Sequence, residues 1–569
     1  MSAPGRSTVD GLGPGLRDAA MQWVADDPDP ADAAELQTLL AGARNGSAAD
    51  LADLTDRMSA PLAFGTAGLR GPLRAGPAGM NLAVVRRAAA GIAAYLVSTD
   101  GTSGPDGAPN IVVVGHDARH RSAEFALDAA KVLAARGFQV LLAPGALPTP
   151  VTAFAVRRLG AVAGLQVTAS HNPPQDNGLK VYLRGGTQLV GPADSAIEAA
   201  IAAAGPARSI DDSGVPLRWP TDLLERYTAR VATLAPGTAK ELRIAATPLH
   251  GVGGETLLRA MDLAGFTDVH LVPAQALPDP DFPTVTSPNP EEPGATDQLL
   301  ALAAEVDADL AIATDPDADR CSIGVKGRDG RWRMLSGDES GALLGDTILS
   351  RVDRITHPDP LVATTIVSSQ LLGRIAAARG ARYDETLTGF KWIVRAGDGR
   401  GTGLIFGYEE ALGLAVDPEA VRDKDGISAA VLACDLAATL KQHGRTVLDV
   451  LDELAVRHGL HTTHAVSLRV ADLTQIAVWM ASLREDLPTT LLGEKVLTAT
   501  DLLPLTDGIR LATARTRVVV RPSGTEPKLK CYLEIVTPVG SSDDLPAARA
   551  SAGIAMDRLR HEVRQLFQP

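Results

Sequence analysis

Short apolar runs that break off into polar turns, each followed by helical sequence, constrain this chain more than any other feature. They are "NIVVVGHDAR" (110–119), "LRIAATPLHGVGG" (242–254), "DLAIATDPDADR" (309–320) and "LVATTIVSSQ" (361–370). In each, a few apolar or β-branched residues give way to Asp, His, Gly or Ser. Strands alternating with helices predict α/β units with parallel or mixed sheets. In such sheets the loops after strand C-termini collect the chemistry. For a chain of 569 residues, a prior of roughly 150 residues per domain gives about four domains. The 45% hydrophobic content is enough for several cores.

Residues 1–58 read as a Gly/Pro-rich lead and then Ala/Leu-rich helical segments around "DAAMQWVADD" and "DAAELQTLLAGA", an N-terminal helical extension packed on the body. Boundaries are expected in "AAGPARSIDDSGVP" (203–216), near "GRDGRWRM" (327–334) and around "AVRHGLHTTH" (455–464). These give domains at 59–205, 206–332, 333–457 and 458–569. The stretch "LPDPDFPTVTSPNPEEPG" (277–294) is too Pro-rich for regular structure and is expected to line something. With 68 acidic against 54 basic residues and a net charge of −14, an electrostatic nucleic-acid footprint is not expected. No apolar stretch of membrane-spanning length is free of charges, and the N-terminus lacks the apolar core of a signal peptide. Cys321, Cys434 and Cys531 fit neither a disulfide framework nor a CxxC metal site. The expectation is a cytoplasmic protein with neither nucleic-acid nor membrane partners.

Four loops carry the chemistry. In "GLQVTASHNPPQDNGLKVY" (164–182) a strand-like run ends in Ser170-His171-Asn172 and is locked by Pro173 and Pro174. Such a Ser resembles a nucleophile on a fixed turn, or simply closes a strand. G-x-S-x-G is absent, which argues against a Ser-His-Asp hydrolase. Lys180 is placed to return to the same mouth as a proton donor or acceptor. In "TDPDADR" (314–320), Asp315, Asp317 and Asp319 alternate, so their carboxylates can converge as hard ligands for Mg²⁺ or Ca²⁺. An EF-hand fails: with Asp315 first, the Gly and Glu positions hold Arg320 and Lys326. In "VVVRPSGTEPKLKCY" (518–532), Arg521, Ser523, Gly524 and Thr525 form either a phosphate cradle or a hairpin turn. In "LIFGYEEALG" (404–413), Glu409 and Glu410 are either a solvated helix start or hydrogen-bonding partners for sugar hydroxyls.

Jointly and in this order, these loops resemble those of the α-D-phosphohexomutase superfamily, the phosphoglucomutase/phosphomannomutase enzymes. "TASHNP" is similar to that family's phosphoserine loop, "DPDADR" to its Mg²⁺ loop, "GYEEA" to its sugar loop and "RPSGTEPKLK" to its phosphate loop. "FGTAGLRG" (64–71) and "TGFKWI" (388–393) also match family segments, and "FGTAGLRG" with "GYEEA" and "DKDG" (423–426) points to the subgroup holding glucomutases, mannomutases and phosphopentomutases. The resemblance covers about residues 58–569. It implies a heart-shaped four-domain α/β architecture: three mixed-sheet α/β domains plus a smaller C-terminal α+β domain around a central cleft.

The resemblance further implies reversible phosphoryl transfer between the 1- and 6-positions of a hexose phosphate through a phosphoserine and a sugar bisphosphate, or the equivalent reaction of a pentose phosphate. By position, Ser170 would be the phosphorylated serine, and Asp315, Asp317 and Asp319 would hold Mg²⁺ together with it. Lys180 and His171 would transfer protons, supported by Arg70 and Arg320. Glu409 and Glu410 would meet sugar hydroxyls, Arg521, Ser523, Gly524 and Thr525 the non-reacting phosphate, and Lys391 and Lys424 the substrate. The implied partners are small sugar phosphates, with a sugar 1,6-bisphosphate as activator, acting on a monomer or homodimer. Many relatives carry Ser where this chain has Ala411, which leaves the sugar preference open. Two other readings leave more unexplained. An aspartyl-phosphate enzyme with Asp315 as nucleophile gives "TASHNP" and "RPSGTEP" no role, and a non-catalytic binding protein would not need Ser170, all three Asp and Lys180.

Overall fold

The computed structural model describes residues 12–64, 68–470, 472, 474–523 and 528–567. Among the described residues, three mixed sheets and one five-stranded antiparallel sheet follow one another along the chain, with a small two-stranded antiparallel sheet beside the last. In the first, parallel strands Ile111–His116, Gln139–Leu142 and Ala163–Val167 are extended on one side by antiparallel Asp176–Leu183 and Leu69–Pro72. The second has parallel strands Ile244–Thr247, Val269–Leu271 and Leu310–Thr314, with antiparallel Cys321–Lys326 and Trp332–Met334. The third sets Leu361–Thr365 between parallel partners Arg382–Thr386 and Leu404–Glu409, with antiparallel Gly413–Ala415 at its edge. The fourth is antiparallel, from Leu460–Arg469 to Thr498–Asp501, and carries the long helix Leu545–Gln565.

The four apolar runs of the sequence become the strands Ile111–His116, Ile244–Thr247, Leu310–Thr314 and Leu361–Thr365. The last three are buried at every position, as expected for strands covered on both faces. One continuous core unites the first three sheets and includes Val113, Phe154, Ile244, Leu310, Phe406 and Ile427. Helix Gly426–Gln442 runs through it, buried nearly all round, and packs on elements of the second and third sheets. The C-terminal domain has its own core, and meets the third sheet's domain through a small apolar patch of Ile366, Val367, Leu387, Leu502, Val519 and Tyr532.

The expected boundary stretches carry local structure of their own. Residues 327–334 form a hairpin of the second sheet. Residues 455–464 hold a helix end, Gly459 and the start of a strand. The short strand Leu217–Arg218 closes the edge of the first sheet, beyond residue 205. Helix Leu82–Thr99 is long and apolar enough to cross a membrane, but packs against helices Ser122–Ala135 and Ala193–Ala202. Its Arg86 forms a buried ion pair with Asp128 at 2.5 Å.

Helices Pro14–Asp26, Pro30–Arg44 and Ala48–Arg57 form a layer around Leu36, Leu40 and Leu54, joined to the body at Ala75. Arg121 ties it down through Asp29 and Asp32 at 2.5 and 2.9 Å. Leu36→Ala should cost about 2–4 kcal/mol in the packing of this layer. Limited proteolysis would then release the N-terminal helices sooner than in the parent; equal resistance would contradict the packing described.

Candidate active site

Strand Ala163–Val167 is wholly buried and delivers Ser170 to a fixed position. Ser170 has φ 54°, unfavourable for a residue with a Cβ. The surroundings hold it there. Its N–H donates to Thr168 Oγ1 at 2.9 Å. The Arg119 guanidinium donates to the carbonyls of Ser170, Asn172, Pro173 and Asp176 at 2.7, 2.5, 2.8 and 3.1 Å. The loop is thus wrapped round one cation, and Phe282 of the 277–294 loop covers that cation with its ring centroid 5.0 Å away.

Strand Leu310–Thr314 ends opposite. Ala318 takes φ 56°, and Asp315, Asp317 and Asp319 are each 0% exposed. Their carboxylate oxygens lie within 4.8 Å of one another. Asp315 Oδ2 accepts from Ser170 Oγ at 2.7 Å, and Asp315 Oδ1 from the Arg320 N–H at 3.0 Å. Lys180 Nζ donates to Asp317 Oδ2 and Asp319 Oδ2, both at 2.6 Å. Thr149 Oγ1 donates to Asp317 Oδ2 at 2.6 Å, and Lys424 Nζ lies 3.1 Å from Asp319 Oδ2. Gly426 lets the "DKDG" segment lie on this loop, since a Cβ there would meet the Arg320 carbonyl oxygen at 2.1 Å.

Burial sets the electrostatics. Asp315 is pushed well above the usual carboxyl range by desolvation and by the charges of Asp317 and Asp319. Desolvation would also raise Asp319, but Lys180 and Lys424 outweigh it and hold Asp319 low. Burial alone would lower Lys180, yet Asp317 and Asp319 raise it, so it stays an ammonium. His171 Nδ1 lies 3.1 Å from Ser170 Oγ. Its pKa is driven well down by burial, then by Arg320 and Arg70, which keeps the imidazole neutral.

The residues also fit a metal ion. Asp317 Oδ1 and Asp319 Oδ1 are buried with no hydrogen-bond partner, a costly arrangement in a dry site. Converging hard oxygens beside the Ser170 hydroxyl suit a small divalent cation.

Glu409 ends strand Leu404–Glu409, and burial pushes it up to about 7 although Lys424 and Arg320 oppose the shift. Glu410 points elsewhere, its Oε2 accepting from Thr365 Oγ1 and Ser368 Oγ at 3.1 and 3.2 Å. Arg70 donates to Asn172 Oδ1 at 3.2 Å. The Nε groups of Arg70, Arg320 and Arg521 are buried without partners, and such orphan donors suit anions. Arg521 sits on strand Thr516–Pro522 beside Tyr532, which also faces Glu410. The Ser523 N–H donates to the Lys528 carbonyl at 2.9 Å. Gly524 and Thr525 lie outside the described residues. Lys391 stands apart from the aspartate loop, beside a small cavity with Phe64, Gln188 and Asp194. The structure thus brings Ser170, His171, Lys180, the three aspartates, Arg320, Lys424 and Glu409 together, while Arg521 belongs to a separate domain. Sequence reasoning missed Arg119, Thr149 and Tyr532. Arg119 lay in plain view after the strand in "VVVGHDAR", but nothing local showed which carbonyls it would gather.

Comparisons with known proteins agree with this geometry. The family models described as phosphoglucomutase/phosphomannomutase alpha/beta/alpha domains I, II and III match residues 61–208, 225–328 and 336–457, and the C-terminal domain model matches 484–539. A Haemophilus influenzae protein named "Probable phosphomannomutase" is 40% identical over 496 residues, covering 86% of this chain and 98% of its own length. A Mus musculus protein named "Phosphopentomutase" is 32% identical over 583 residues, covering 94% of this chain and 92% of its own. A solved phosphoglucomutase/phosphomannomutase family protein from Burkholderia thailandensis shares the fold with a TM-score of 0.65 at 21% identity, covering 88% of this chain and 97% of its own. With four matched domains in order and relatives aligned over nearly their full lengths, the chain belongs to the phosphoglucomutase/phosphomannomutase family, isomerases that move a phosphoryl group on sugar phosphates.

Proposed function

We propose that this phosphomutase moves a phosphoryl group between the 1- and 6-positions of a hexose phosphate, with Ser170 as the phosphoryl carrier. The observation that carries the reading is the Ser170 Oγ to Asp315 Oδ2 contact of 2.7 Å, at the mouth of three converging buried carboxylates. Names among the relatives supply a second reading, a pentose phosphate, since one is called a phosphopentomutase. Ala411 removes a hydroxyl from the sugar loop and favours neither.

In the reading we favour, phosphoserine 170 donates to a free sugar hydroxyl, the bisphosphate turns over within the cleft, and Ser170 recovers the other phosphate. The balance is simple: the Oγ–P bond breaks as the sugar O–P bond forms, the hydroxyl proton leaves to a base, and a proton is delivered to Ser170 Oγ as it leaves. His171, neutral and 3.1 Å from Ser170 Oγ, is the better placed of the two candidates for that proton. Lys180, locked between two carboxylates, acts mainly to hold the aspartate loop closed.

Phosphoserine carries roughly −1.5 to −2 charges, and Asp315, Asp317 and Asp319 would hold the Mg²⁺ that offsets this charge and the charge developing in transfer. Glu409 accepts hydroxyl hydrogen bonds as a carboxylate, and Arg521 holds the phosphate that is not reacting. The three cysteines are buried and unpaired, which supports a reducing, cytoplasmic setting.

The test is kcat/KM for glucose, mannose and ribose 1-phosphates with Mg²⁺ and catalytic sugar bisphosphate. A preference of about 100-fold, or roughly 2.7 kcal/mol, names the sugar. Ser170→Ala should abolish turnover, and full activity in that variant would sink the mechanism. Chelation of divalent ions should abolish activity and Mg²⁺ should restore it; unchanged turnover in chelator would remove the metal from the account. Because burial pushes Glu409 up to about 7, its hydroxyl-accepting form grows as pH rises through that range. KM should therefore fall between about pH 6 and about pH 8, and Glu409→Gln should flatten that trend.

A further inference from the structure

The Pro-rich loop 277–294 enters the site twice. Phe282 covers Arg119, and at the other end Glu291 reaches the cleft. Glu291 Oε2 accepts from the Arg320 guanidinium at 3.1 Å, with the Arg320 side chain only 11% exposed and that of Glu291 38%. A local turn presents the carboxylate: Asn289 Oδ1 accepts the Glu291 N–H at 3.2 Å and the Asn289 carbonyl accepts the Glu292 N–H at 3.0 Å. The other charges facing it are Glu410 from the third sheet, Lys530 from the C-terminal domain, and Glu292 beside it. Arg320 follows Asp319 directly and lies within reach of His171 beside Ser170. A carboxylate and a phosphate offer a guanidinium the same pair of oxygens, so Glu291 stands where an incoming phosphate would bind.

We propose that Glu291 is a competing carboxylate: it holds Arg320 while the cleft is empty, and the phosphate of the substrate displaces it. This rests on the phosphomutase reading above. Glu291 is a positioning residue, acting on phosphate through Arg320. Capture of a phosphate breaks the Arg320–Glu291 pair, so ground-state binding is weaker than the arginine alone would give. After the first transfer, Glu291 retakes Arg320 and helps free the phosphate that must move before the bisphosphate can turn round. A competing carboxylate suits a site that has to bind a phosphate and release it within one cycle.

Glu291→Gln keeps the side chain's shape and removes its charge. The measurements are KM and kcat for the preferred sugar 1-phosphate, the inhibition constant of inorganic phosphate, and the same constants for Glu291→Asp. KM and the phosphate constant should each fall about three- to fivefold, with kcat falling alongside, so that kcat/KM stays within about twofold. Glu291→Asp should resemble the parent. A side chain needed only to hold the loop in place would raise KM and lower kcat/KM when changed, so a KM that rises or does not move overturns the proposal. If Glu291→Gln fails to fold, Glu291→Ala carries the same expectation. A parent without mutase activity would defeat the functional reading instead, and calorimetric affinity for inorganic phosphate would still decide the role of Glu291.

Discussion

Three carboxylates on one loop, all shut away from water, have to be neutralised before this protein can fold, and the cations that do it come from elsewhere in the chain. Lys180 reaches Asp317 and Asp319 from the first sheet. Lys424 reaches Asp319 from the segment after the third sheet. Removing Lys180 would leave the buried Asp317 without its ion-pair partner, which is far more costly than losing a surface ion pair. The aspartate loop therefore acts as a keystone: its charge is tolerable only when three domains are docked in one arrangement. The shared core reinforces that arrangement, with helix Gly426–Gln442 running through it. Ser170 benefits directly, because its strained backbone persists only where Arg119 and Asp315 hold it from both sides.

The C-terminal domain is attached differently. It keeps a core of its own and touches the rest through a small apolar patch and a cluster of buried charges. Arg517 pairs with Glu385 and also donates to the Ser368 carbonyl, while Glu534 accepts from Ser369 Oγ at 2.7 Å. Ser368 Oγ in turn donates to Glu410 Oε2 at 3.2 Å. A domain held by a modest patch can move as a unit, and the strand bearing Arg521 moves with it. This division suits the chemistry. On the proposed reading, the phosphoryl carrier and the residues that would hold the metal need a fixed geometry, whereas the phosphate cradle has to admit the substrate and release it.

Much of this was legible in the sequence because the chemistry sits where apolar strands stop. Ser170, Asp315 and Glu409 all lie at or just beyond buried strand ends, and a run such as "DLAIAT" announces both the strand and the position of the loop. Contacts between distant segments were not legible. Arg119 gathers four carbonyls from residues more than fifty positions away, and no local pattern distinguishes it from a solvated arginine. The same holds for Thr149 on Asp317 and for Glu291 on Arg320. The hairpin at the expected boundary was equally hidden: "GRDGRWRM" has a linker's composition, but its Trp332 and Met334 pair with Lys326 and Gly324. Nor did "TGFKWI" show that Lys391 would lie beside Phe64, Gln188 and Asp194 of the first domain.

The central claim is that Ser170 Oγ carries the phosphoryl group while Asp315 supports it. Phosphopeptide mapping after incubation with sugar 1,6-bisphosphate and Mg²⁺ tests this most directly. The account predicts an acid-stable phosphate ester on the peptide containing Ser170. A hydroxylamine-sensitive acyl phosphate on Asp315, with Ser170 unmodified, would contradict it.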